Sequence, residues 1–150
     1  HDASGRQVFP GRELLAFGKG QADETVSGIL QLPRGENNPV YTLTMLSVDE
    51  RGPVSTLDIV LPAKLFAGLT AAAIRNAQEN LYAVYQDECG VNVIRIEEHI
   101  HAALATAAEA KTLKIRPGSP VLRVERIAST YRNLPVEFRT RVFDATRYHY

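Results

Sequence analysis

Leu30-Gln31-Leu32-Pro33-Arg34-Gly35, followed by Pro39-Val40-Tyr41-Thr42-Leu43, returns later in the chain as Leu113-Lys114-Ile115-Arg116-Pro117-Gly118, followed by Pro120-Val121-Leu122-Arg123-Val124. The hairpin turns repeat as well: Arg51-Gly52-Pro53-Val54 stands in the first copy where Asn133-Leu134-Pro135-Val136 stands in the second. Each half therefore reads as helix, Pro/Gly turn, strand, hairpin, strand. Two copies are too few to stack as a solenoid. They can bury their apolar faces by pairing their hairpins into one antiparallel sheet, with helices on one side or at its ends. The fold class is α+β, built from two similar halves.

Working outward, the first periodic element is a helix over 22–32, with Asp23 able to cap and Val26, Ile29 and Leu30 on one face. Residues 40–48 and 54–61, rich in β-branched and aromatic types, form a hairpin across the polar turn 49–52. Leu65, Phe66 and Leu69 mark a short apolar helix or turn. Ile74, Ala77, Leu81, Val84 and Tyr85 then recur at helical spacing, predicting one helix over 71–88 that Gly90 ends. Residues 91–104 read as a long strand. Thr106 and Glu109 form a capping box opening a helix to about Lys114. Strands over 121–130 and 135–143 flank the turn 131–134.

The 150 residues fit a single domain. Seventeen basic and seventeen acidic residues cancel, and no run of five like charges occurs, so the electrostatic footprint of a nucleic-acid-binding surface is missing. The single Cys89 forms no internal disulfide and excludes a cysteine zinc site, which fits a reducing cytoplasm. Neither a membrane-length apolar stretch nor the regions of a signal peptide are present, so the chain reads as soluble and cytoplasmic. Residue 1 is His, not Met, so an upstream portion is expected to be missing, and residues 1–11 read as a linker or tag remnant.

Three segments carry a family resemblance: residues 113–126, Leu-Lys-Ile-Arg-Pro-Gly-Ser-Pro-Val-Leu-Arg-Val-Glu-Arg; Leu134-Pro135-Val136-Glu137-Phe138; and Asp144-Ala145-Thr146-Arg147-Tyr148. Weaker matches are residues 61–66, Leu81-Tyr82 and residues 97–100. In this order, across 12–150, they resemble the UTRA domain, the ligand-sensing half of HutC-subfamily GntR-type transcription regulators. The resemblance implies a chorismate-lyase-like fold, a small-molecule effector and a homodimer. It also implies an N-terminal winged helix-turn-helix before residue 1 that makes the contact with operator DNA.

In family members that recognise phosphosugars, two arginines two apart on the strand over 40–48 help hold the phosphate. Met45 and Ser47 stand there, and neither can neutralise a dianion. Glu137 matches a family glutamate facing the effector, and Phe143 an aromatic position six residues on. Even spacing puts both on one strand face, although Glu137 could instead pair with Arg139 or Arg141. Glu137→Gln is accordingly expected to weaken effector binding and leave the fold intact. Leu57 replaces a frequent glutamate, making the pocket more apolar. Asn80 and Tyr82 match a serine and a tyrosine near the site, with a helix-cap or core role as the alternative.

Independently of the resemblance, Glu98 lies among Ile94, Ile96 and Ile100 on one strand face and needs a partner, structural or ligand. The resemblance marks Arg123 and Arg126 as framework positions, which reads them as structural and pairing with Glu97 or Glu125. His99 and His101 share a face but have no third ligand at a metal-site spacing, so neither a metal nor a cofactor is expected. The favoured function is an allosteric effector sensor and dimerisation domain rather than an enzyme. The rivals are a lyase-type enzyme on the same fold, drawing on Glu98, Glu137 and Arg95, and a dimerisation module whose pocket is filled by Met45, Leu57 and Phe143.

Overall fold

Gln31 and Lys114, at matching places in the two copies of the repeat, both adopt a left-handed backbone, with φ of 53° and 55°. Gly35 and Gly118, four residues on in each copy, do the same at 72° and 81°. Twin sequences thus end twin helices in the same way, although Gln and Lys pay a steric cost there that glycine avoids.

The computed structural model describes residues 11–35, 37–77 and 80–147. The first half contains β1 (Gly11–Gln21), α1 (Glu24–Ile29), β2 (Pro39–Asp49) and β3 (Gly52–Pro62). The second contains β4 (Arg95–Leu104), α4 (Ala107–Leu113), β5 (Pro120–Ser129) and β6 (Pro135–Asp144). Between them, a 3-10 turn (Ala63–Leu65), α2 (Ala71–Asn76) and α3 (Leu81–Cys89) cross over the sheet. All strands pair antiparallel in one sheet of order β1-β2-β3-β6-β5-β4. The halves meet along β3 and β6, through six residue pairs from Ser55↔Phe143 to Val60↔Phe138. The paired hairpins and the α+β class are as the repeat predicts.

Three local expectations differ. β1 carries no assignment from sequence because its glycines and a bulge between Leu14 and Ala16 break the two-residue alternation. The helix over 71–88 is two helices: α2 ends at Asn76 with Ala77 as its cap, and the Asn80 side chain accepts from Ala83 N to start α3 anew. The strand over 91–104 begins only at Arg95. Gly90, at φ 68°, closes α3, and Val91 N reaches back to the Tyr85 carbonyl, tucking Val91 into the core. The capping box of Thr106 and Glu109 forms as read.

Directly paired residues on antiparallel neighbours point to the same face, which sorts the interior. On one face Leu43, Met45, Leu57, Ile59 and Leu61 are covered by Phe66, Leu69, Ile74, Leu81 and Tyr85 from the crossover. On the other, α4 places Ala110 and Leu113 against Val121 and Val142. Each wholly buried aliphatic or aromatic side chain contributes roughly 1.5–3 kcal/mol.

Candidate functional site

Strand register brings most of the sequence candidates to the face beneath α2 and α3. One row across the sheet reads Ser47, Ser55, Phe143, Leu122. The next reads Met45, Leu57, Arg141, Val124, Ile100, and the one after it Leu43, Ile59, Arg139, Arg126, Glu98. Glu137 lies one row further, opposite Ala128. Glu137 and Phe143 therefore share a face but sit about 20 Å apart along β6, with Arg139 and Arg141 between them. Met45, Leu57 and Phe143 are buried in the core, whereas Ser47 is half-buried. Asn80 is exposed at the surface and its side chain serves as the α3 cap.

Glu137 has 0% exposure and is held by three donors. Tyr85 donates to Oε2 at 2.5 Å, Tyr82 to Oε1 at 3.2 Å, and Arg139 Nε to Oε1 at 2.5 Å. The Tyr82 hydroxyl also accepts from Arg126 Nη1 at 3.2 Å, and Arg126 pairs with Glu98 Oε2 at 3.0 Å. The Tyr82 ring lies against the Arg139 guanidinium, 4.7 Å from its centroid. A continuous polar chain thus runs from β4 through β5 and α3 to β6. It gives hydrogen-bond partners to a carboxylate that is wholly buried.

The electrostatics follow from this burial. Desolvation, with the Glu137 carboxylate adding to it, raises the Tyr85 hydroxyl well above the ordinary tyrosine value and raises Tyr82 as well. Both phenols remain donors at neutral pH. Burial alone would lower Arg139, but Glu137 and Tyr85 outweigh it and hold the guanidinium above its ordinary range. Away from this network, Arg123 pairs with Glu109 of the capping box, so its partner is neither Glu97 nor Glu125. His99 and His101 are exposed on the opposite face of β4. Among the described residues no three metal-ligating side chains converge.

Beside the network lies a recess lined by Leu57, Glu98, Val124, Arg126, Arg139 and Arg141. Its volume is about 10 Å³, room for roughly one water. A larger surface cleft of about 620 Å³ surrounds α1 and the turn after it, within residues 22–38. That cleft draws on one local segment, whereas the recess gathers side chains from four strands. The sequence reading missed Arg126, Arg139 and Tyr85 as site residues. The two-residue spacing of Glu137, Arg139 and Arg141 carried the signal for β6; the joining of α3 to β6 is visible only in three dimensions.

Comparison with known proteins matches residues 5–149 to the UTRA domain family. An uncharacterized HTH-type transcriptional regulator of Rhizobium meliloti is 29% identical over 146 residues, which cover 95% of this chain and 57% of that protein. The chain thus spans little more than half of that relative. The ligand-binding domain of a GntR-family transcriptional regulator from Bordetella bronchiseptica is 28% identical, with a TM-score of 0.85 over 97% of this chain and 91% of that one. The effector domain of PhnF from Mycobacterium smegmatis is 26% identical, with a TM-score of 0.79 over 92% and 82% of the two chains. Sequence and fold agree, and the chain belongs to the UTRA domain family of GntR-type transcription regulators.

Proposed function

We propose that the chain senses a small-molecule effector and passes its occupancy to a DNA-binding segment elsewhere in the full-length regulator. The observation that carries this reading is the buried polar chain of Glu98, Arg126, Tyr82, Tyr85, Glu137 and Arg139 at the edge of a recess. An effector entering there meets the same side chains that hold α3 to the sheet. Binding and the seating of α3 are therefore energetically linked. A coupling of about 1–3 kcal/mol would change operator affinity roughly 5-fold to 150-fold, provided the effector prefers one arrangement over the other.

Leu57 and Glu98 border the recess and Glu137 holds Arg139 in place beside it, while Met45 and Phe143 pack in the core. The role is binding rather than catalysis, since the carboxylates that would act as acid or base are engaged in ion pairs. A winged helix-turn-helix preceding residue 1 would contact DNA, in a cytoplasmic homodimer. The edge strand β4 supports the dimer, because Ile96, Ile100 and Leu104 are 44%, 50% and 68% exposed along one of its faces. Among the described residues no helix is long and apolar enough to cross a membrane.

A thermal-shift screen of the chain against amino acids, sugars, sugar phosphates and organic acids tests the sensing role. At least one class should raise the unfolding midpoint; stabilisation by none would overturn it.

A further inference from the structure

Arg139 uses only part of its hydrogen-bonding capacity. Its side chain is 10% exposed, and Nε is committed to Glu137 at 2.5 Å. The two terminal nitrogens make no hydrogen bond with any described residue, although a guanidinium carries five N–H donors. Arg139 nevertheless lines the recess, directly across from Arg126, with Arg141 two residues further along the same face. Among the described residues neither terminal nitrogen is a wholly buried atom without a partner, so solvent meets the open end, and an anion can replace that water with charge-assisted hydrogen bonds.

Three of the six lining residues are arginines, one is Glu98, and the other two, Leu57 and Val124, are apolar. A cation would leave the donors of Arg139 unsatisfied, and a neutral sugar, whose hydroxyls can accept from them, would leave the charge of the three arginines uncompensated. An anion would satisfy them. Its charge is limited from the other side, because Glu98 lines the recess and Glu137 already shares the Arg139 guanidinium. A dianion would meet both carboxylates, whereas a monoanion meets less repulsion and its planar oxygens match a guanidinium fork. The volume of about 10 Å³ admits little more than one oxygen of a small acid group, so the body of the ligand lies outside the recess.

We propose that the recess is an anion subsite, and that the effector is a carboxylate-bearing metabolite whose acid group docks on the open end of Arg139. The inference rests on the sensing function proposed above and specifies the ligand class at that site. Arg126, Arg141, Leu57 and Val124 border the acid group. Glu137 stays bound to Nε throughout, so Arg139 links the ligand to the hydroxyls of α3.

The test is a thermal-shift and calorimetric screen at constant ionic strength. Its probes are benzoate, pyruvate, succinate and glutamate, the neutral benzamide and glucose, and glucose 6-phosphate with inorganic phosphate. A carboxylate should stabilise the chain where its neutral counterpart does not. Arg139→Lys keeps a cation beside Glu137 and removes the fork, and should weaken that carboxylate on the order of tenfold or more. Arg141→Gln, outside the Glu137 ion pair, provides the same reading should Arg139→Lys fail to fold. Stabilisation only by a neutral compound or a phosphate overturns the carboxylate assignment and leaves the sensing function standing. A carboxylate bound equally well by both variants overturns the subsite. Stabilisation by none of the probes, extended to no compound of the wider screen, overturns both.

Discussion

The Tyr85 hydroxyl donates to Glu137 Oε2 at 2.5 Å, fastening α3 to a strand that lies 52 residues further along the chain. Both groups are fully buried, so water cannot replace either partner. Tyr85→Phe keeps the ring and its edge contact with Phe66 but removes the donor. It should cost about 1–3 kcal/mol, read as a lower urea midpoint with an unchanged slope.

Glu137→Gln is expected to cost stability as well as ligand. Sequence reasoning treats this substitution as harmless to the fold, but it leaves the Arg139 cation nine-tenths buried without its carboxylate. Breaking a buried pair from one side typically costs about 3–5 kcal/mol. Glu137→Leu combined with Arg139→Met removes both charges and should cost less than the sum of the single changes, as a double-mutant cycle by chemical denaturation would record.

Gln31→Gly and Lys114→Gly should each stabilise the chain by about 0.5–1 kcal/mol by relieving left-handed strain at exposed positions. Calorimetry on the two variants should give similar increments, because the positions are equivalent in the repeat. A gain at one site and a loss at the other would deny them that equivalence.

Glu109 joins the α4 cap to Arg123, and its carboxyl is lowered from 4.5: burial pushes it up, but the bond from Arg123 and the Thr106 backbone outweigh that. A carboxyl lowered on folding contributes stability above its unfolded value and loses it as the pH falls through the folded one. Glu109→Gln should therefore destabilise the chain at neutral pH. The gap to the unmodified chain should narrow below pH 4.5 and close once Glu109 is protonated, as unfolding midpoints along an acid series would show.

Ile100→Glu places a charge in the exposed apolar row of β4, where the native side chain is 50% exposed. In a homodimer joined through that edge, the substitution should shift the mass seen by light scattering toward the monomer and leave the circular dichroism unchanged. An unaltered mass would place the contact elsewhere.

The repeat exposed most of the architecture to a reader of the sequence, because helix, turn and hairpin signals occur twice in one order. β1 stayed hidden where Gly11, Gly18 and Gly20 blur the alternation. The break before Asn80 was hidden by helical spacing that runs through it. Register places Met45, Leu57, Glu137 and Phe143 on one face, as alternation along each strand allows. The role of Tyr85 was not legible, because a tyrosine at a core position of a helix gives no sign of where its hydroxyl reaches. Nor does the spacing of Arg139 say which of its nitrogens the interior leaves open.

The seam between β3 and β6 restricts how the two halves can move. Sliding by one residue would put Leu57 and Ile59 on the opposite face from Arg139 and Arg141, turning one set out of the interior. Slip is therefore forbidden, while a change of propeller twist about the six shared pairs keeps every side chain facing its own layer. The ladder thus leaves twisting, not sliding, as the way the two halves can shift against each other, and the Tyr85 bond to Glu137 ties the crossover to that seam.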